Sequence, residues 1–169
     1  MKKAVGIQYA ALPYRVARRR LEIMLITSRE TRRWVVPKGW PMKGLKPHDA
    51  AAVEAAEEAG LVGTIDSLPI GSYNYVKRLK ADNSIAVQVS VFPLRVQARV
   101  ESWKEQGQRE FRWFRYQKAA SLVAEPSFRK LIRRFGKTHT PGARSAALID
   151  DRPSDWSLGL FQRESEPQA

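Results

Sequence analysis

The chain has 169 residues, 43% of them hydrophobic, enough for one domain with a substantial core. Its balance is strongly basic, 30 Lys+Arg against 17 Asp+Glu for a net charge of +13, a field that favours anionic ligands. Cysteine is absent, which excludes disulfides, thiolate catalysis and cysteine metal sites. No stretch approaches the roughly 20 apolar residues that span a bilayer, and MKKAVGIQYAALPYR does not read as a signal peptide. A cytoplasmic setting without membrane attachment is the expectation.

Taken in order, residues 4–12 (AVGIQYAAL) and 21–27 (LEIMLIT) read as strands joined by a basic turn at Arg15–Arg20. That turn is read as a solvated surface, with phosphate contact as the alternative. A short strand at Trp34–Val36 follows, with Trp34 as a core candidate. Arg29, Arg32, Arg33 and Lys38 crowd the segment that leads out of it. Guanidinium forks and an ammonium in such a group suit the oxygens of a polyphosphate.

The next stretch organises the rest. PKGWPMKGLKPHDAAAVEAAEEAGL, from Pro37 to Leu61, is a loop punctuated by Pro37, Gly39, Pro41, Gly44 and Pro47 that runs into a helix. Gly60 suits the position just past a helix end, where φ > 0 is cheap for glycine alone. Glu54, Glu57 and Glu58 stand at i, i+3 and i+4 and share one face; Ala52, Ala56 and Ala59 are expected on the opposite face, against a sheet. Like charges at that spacing cost roughly 0.2–0.5 kcal/mol per pair. Either water solvates the acidic face, or a divalent cation binds there. All-oxygen ligation suits Mg²⁺ or Mn²⁺ rather than zinc.

Beyond the helix, residues 62–76 read as one or two strands broken around Pro69-Ile70-Gly71. A basic hairpin tip at residues 77–80 turns at Asp82-Asn83, and Ile85–Val100 alternates as a long strand in which Pro93 implies an edge or a bulge. A strand at 109–114 and helical patterns at Tyr116–Val123 and Pro126–Phe135 close the domain, 1–135. Residues 136–169 read as a polar tail, in which Trp156, Leu158, Leu160 and Phe161 are docking candidates. His48 and His139 lack ligand partners at useful spacing and are read as structural or solvated.

The stretch from Gly39 to Leu61 resembles the Nudix box, G-x5-E-x7-R-E-U-x-E-E-x-G-U, where U is a bulky apolar residue. Gly39, Glu54, Glu57, Glu58, Gly60 and Leu61 match. Leu45 stands at the first glutamate, Val53 at the arginine and Ala55 at the bulky apolar position. If Leu45 and Val53 replace each other's charged partners, no orphan charge remains, and arginine restored alone at position 53 brings no gain.

The resemblance extends over roughly residues 4–135 and implies an α/β/α sandwich with a mixed sheet between helices. SR-x4-W-x-V-P before the box and RE-x2-WF after it resemble the diphosphoinositol polyphosphate phosphohydrolase branch, which also cleaves diadenosine polyphosphates. By that resemblance the chain is a Mg²⁺-dependent pyrophosphohydrolase of polyphosphorylated small molecules, with Mn²⁺ as the substitute ion. Glu54, Glu57 and Glu58 would be metal ligands and catalytic groups, with Gly39 supplying a backbone group at the metal. Ser28, Arg29, Arg33 and Lys38 would touch substrate phosphates, and Glu110 resembles a glutamate outside the box that serves as ligand or base. Glu58 and Glu110 both stand as candidate bases. The alternative is a catalytically weak module of the same fold that binds a phosphorylated ligand or nucleic acid. RNA is less favoured, for lack of aromatic–basic interleaving.

Overall fold

Alternating apolar residues pair the first two strands, β1 (Val5–Ala17) and β2 (Arg20–Thr27), in an antiparallel hairpin with Ala17 opposite Arg20. The computed structural model describes residues 5–79 and 83–142. The hairpin turn is only Arg18-Arg19, both at positive φ (48° and 62°), so the expected six-residue basic turn is mostly strand. Cross-strand bonds available to Arg15–Ala17 outcompete a loop there.

β3 (Trp34–Val35) pairs with β2, and a two-residue strand inside the glycine-rich loop, β4 (Lys38–Gly39), pairs with β1. Helix α1 (Pro47–Ala59) follows, then β5 (Leu61–Ile65), β6 (Gly71–Arg78), β7 (Ser84–Arg99) and β8 (Phe111–Arg115), and finally α2 (Tyr116–Leu122) and α3 (Pro126–His139). Residues 80–82 of the expected hairpin tip lie outside the described residues. β7 runs parallel to β1 from Val5↔Ala86 to Tyr14↔Arg95, and β8 runs antiparallel to β2. The sheet is therefore mixed, ordered β3-β2-β1-β7-β5 with β4, β6 and β8 attached to β1, β7 and β2.

Pro93 does not mark an edge, because β7 lies inside the sheet. It sits where the antiparallel partner changes from β6, which ends opposite Val91, to β5, which begins opposite Leu94. Its missing N–H interrupts neither ladder.

Two apolar layers cover the sheet. One joins Leu12, Leu21, Ile23, Leu25 and Val89 to α2 and α3 through Phe128, Ile132 and Phe135. The other joins Met24, Ile26, Phe92 and Leu94 to α1. The result is the expected α/β/α sandwich. Trp34 packs edge-on against Phe114 at 5.2 Å, a core residue as read.

The buried row of α1 is Ala51, Ala55 and Ala59 with Ala50, whereas Ala52 and Ala56 are only half-buried. An i, i+4, i+8 row of methyls meets the sheet, and Ala55 brings the helix close to it.

The last helix passes the expected stop at Phe135. Gly136 is a packing residue rather than a terminator, since a Cβ there would overlap the Tyr116 ring. The helix ends instead at Thr140, with His139 stacked on Phe135 at 4.0 Å. The tail's candidate docking residues, Trp156, Leu158, Leu160 and Phe161, lie outside the described residues.

Candidate active site

Pro47 opens α1 at a position where its missing N–H costs nothing, and Gly60 ends it in the left-handed conformation (φ 67°). The α1 termini thereby fix the glutamate face beside the glycine-rich loop. Gly39 is required there by contact, because a Cβ would occupy the space filled by the Glu54 carboxylate. Backbone and carboxylate approach each other only because that atom is missing.

Glu58 is nearly buried, its side chain 11% exposed, and accepts a bond from Arg109 Nη2 at 2.8 Å. The same guanidinium donates through Nε to Glu105 at 2.8 Å and through Nη1 to the Thr27 carbonyl at 3.1 Å. Glu57 takes an ion pair from Lys104 at 2.9 Å. Arg29 lies 3.5 Å from Glu105.

Sequence reasoning assigns no site role to Glu105 or to Arg109, the arginine of the RE-x2-WF run, although Glu105-x3-Arg109 is itself an acid–base spacing. Their meeting with α1 depends on the loop after β7, whose Glu105 N–H donates to the Glu57 carbonyl at 3.0 Å. Trp103 of that loop covers Gly60, and Arg99 of β7 stacks 4.2 Å from Trp103 and donates to the Ala59 carbonyl. A cation from the sheet thus meets the negative end of a helix that has no basic residue in its own last turn.

Burial raises the Glu58 carboxyl to about 7, against the opposing pull of Arg109 and Lys38. Glu54 is also raised, first by burial and then by Glu57 and Glu105. Lys38, half-buried, is lowered by burial while the Glu58 charge resists the shift, and its Nζ lies 5.4 Å from the Tyr75 ring centre. The Tyr75 hydroxyl donates to buried Gln8 at 2.7 Å.

The other expected contact residues sit on the β2–β3 loop. Ser28 Oγ is engaged within that loop, 2.6 Å from Thr31 Oγ1 and accepting from the Arg33 N–H at 3.1 Å. Arg29 and Arg33 are exposed. Glu110 shares no ion-pair partner with the α1 carboxylates. Its side chain is 59% exposed and paired with Arg32 at 2.8 Å. Glu105 rather than Glu110 shares a cation with Glu58.

The donor chemistry suits a hard divalent cation, with three carboxylates on one helix face, a fourth beside them and a side-chain-free backbone at Gly39. Two of these groups are unfavourable as anions at their present burial, a cost that a divalent charge would remove. As the side chains stand, Arg109 and Lys104 neutralise Glu58 and Glu57. Among the described residues no three acidic or histidine side chains are gathered closely enough to hold a metal ion.

A NUDIX domain family model matches residues 8–135. Nudix hydrolase 12, mitochondrial, of Arabidopsis thaliana is 27% identical over 119 residues, which cover 69% of this chain and 59% of that protein. Nudix hydrolase 13, mitochondrial, of the same plant is 30% identical over 108 residues, 61% of this chain and 54% of that protein. The chain thus spans just over half the length of these relatives, whose location is a statement about them.

Among solved structures, an Ap4A hydrolase binary complex from C. elegans aligns with a TM-score of 0.58 at 21% identity, over 78% of this chain and 95% of that one. A MutT protein from Methanosarcina mazei Go1 aligns at 0.58 and 23%, over 80% and 95%. At these identities the likeness is one of fold.

Proposed function

Because this chain belongs to the Nudix family, we propose that it hydrolyses a phosphoanhydride bond in a polyphosphorylated small molecule. Diphosphoinositol polyphosphates and diadenosine polyphosphates come first as substrates. The observation that carries the reading is the nearly buried Glu58 on the glutamate face of α1, held by Arg109 at 2.8 Å, with Glu54, Glu105 and Lys38 close enough to influence its charge. The SR-x4-W-x-V-P run supports the branch, as does fold similarity to the Ap4A hydrolase of C. elegans.

Glu54, Glu57 and Glu58, with the Gly39 backbone, would hold Mg²⁺ or Mn²⁺ in exchange for the present side-chain cations. When bound, the ion neutralises phosphate charge and acidifies a water. The protein's own groups do the rest. Glu58, with proton affinity near neutrality, accepts the proton of the attacking water as the bond to the leaving phosphate breaks. Glu110 is the second candidate for that role. Lys38, Arg29 and Arg33 hold phosphate oxygens, and Arg109 orients Glu58.

A second reading, a weakly catalytic binding module, is favoured by one observation: Glu57 and Glu58 are already ion-paired while Val53 and Leu45 replace charged box residues. The two readings separate in one experiment. Nucleotide and phosphate release is measured on Ap4A, Ap6A, a diphosphoinositol polyphosphate and dGTP, with Mg²⁺ and with EDTA. Turnover that needs Mg²⁺ and falls about a hundredfold or more in Glu57→Gln supports the hydrolase. Tight binding of the same compounds without turnover would replace it with the module.

A further inference from the structure

A second cationic site lies at the other end of the β2–β8 pair. The cluster at α1 is reached from Thr27 and Glu110, whereas Arg20 and Arg115 stand at the opposite ends of their strands. Seven residues of strand, at about 3.3 Å each, put roughly 23 Å between Thr27 and Arg20. Here Arg20, Arg115 and Lys118 line a cavity of about 350 Å³, with Tyr116 and Thr140.

Among the described residues no carboxylate lines this cavity. Glu22, which faces Arg115 across the ladder, is already held by Arg15 through two bonds of 2.8 Å. Among the described residues Arg20, Arg115 and Lys118 form no ion pair. Three unneutralised cations converging on one concavity repel one another, and an anion relieves that repulsion.

The turn that precedes Arg20 adds a second observation. Arg18 and Arg19 form the β1–β2 turn in the left-handed region, where a residue with a Cβ costs about 1–2 kcal/mol and Asn-Gly is the usual choice. Arg20, which lines the cavity, thus ends a run of three consecutive exposed arginines.

We propose that the cavity bounded by Arg20, Arg115 and Lys118 binds a small phosphate-bearing anion, separately from the α1 site. Two guanidinium forks and an ammonium match the oxygens of a diphosphate, while Tyr116 and Thr140, the latter's hydroxyl already donating to the Gly136 carbonyl, only shape the wall. The volume suits a diphosphate or a nucleotide rather than a wrapped polymer.

The test is calorimetric titration of the full chain with inorganic pyrophosphate in EDTA. A saturable one-to-one isotherm that weakens as salt rises from about 50 to about 200 mM is expected. The double variant Arg20→Glu/Lys118→Glu should lose about tenfold or more in affinity with an unchanged thermal midpoint. Arg33→Ala/Lys38→Ala should retain it. Titration with ADP identifies the source of the phosphate: the same loss in the double variant with tighter binding assigns a nucleotide. Equal binding by wild type and the Arg20/Lys118 variant would overturn the site, as would a loss confined to the Arg33/Lys38 variant. A single-stranded oligoribonucleotide binding far more tightly through the same residues would overturn the small-anion assignment in favour of nucleic acid.

Discussion

Glu58 lies under two opposed influences, burial that disfavours its charge and the cations Arg109 and Lys38 that favour it; burial wins. An acid raised in the folded state keeps its proton where the unfolded chain has released it. Its contribution to stability is therefore present below the ordinary glutamate value and lost as pH rises towards about 7. Denaturant unfolding in EDTA should show wild type losing on the order of 2 kcal/mol relative to Glu58→Gln between about pH 4.5 and pH 7.5. Arg109 is the reciprocal case. Its three bonds are made at 9% exposure, and Arg109→Gln leaves Glu58 without its ion-pair partner and Glu105 with Arg29 alone. A loss of about 3 kcal/mol is expected in EDTA, with Mg²⁺ restoring part of the thermal midpoint. Because Arg109 already serves Glu58, Val53→Arg should change kcat/KM by less than about tenfold, or about 1.4 kcal/mol. A larger gain would show that the missing box arginine limits the rate.

At the scale of elements, α1 is set by its two ends and its methyl row rather than by a bulky apolar stripe. Gly60 serves twice there, as a left-handed terminus and as the floor under the Trp103 ring. Gly60→Ala meets both constraints together, and a destabilisation of about 1–3 kcal/mol is expected in equilibrium unfolding. Activity should fall with it, since the terminus also sets where Glu57 and Glu58 sit. The loop from Trp103 to Arg109 is the least regular part of the site and holds its two unanticipated members. Neither Glu105 nor Arg109 belongs to a helix or strand, so no periodicity points to them.

For the molecule as a whole, a net charge of +13 surrounds a local nest of carboxylates. The long-range field draws anions in, while Glu58 and Glu57 of the cluster are themselves neutralised by Arg109 and Lys104. Association with a polyphosphorylated substrate should therefore slow as ionic strength rises, with kcat/KM falling and kcat little changed in steady-state kinetics. Among the described residues no helix is long and apolar enough to cross a membrane.

Local chemistry made much of this legible in the chain alone. Apolar alternation, Pro47, Gly60 and the i, i+3, i+4 glutamates are signals carried by neighbouring residues, so most strands, α1 and its acidic face follow from spacing, whereas the sandwich is implied only through the resemblance carried by the Gly39–Leu61 stretch. Other features arise only when distant segments meet. The pairing of Val5–Tyr14 with Ala86–Arg95, which makes the sheet mixed, joins residues some eighty positions apart. Gly136 looks like a helix stop until the Tyr116 ring is seen against it. Arg109 paired with Glu58, Glu105 on the same guanidinium and the cations around Arg20, unpaired among the described residues, are likewise tertiary facts, because whether a charge is neutralised depends on which other chain segment lies beside it.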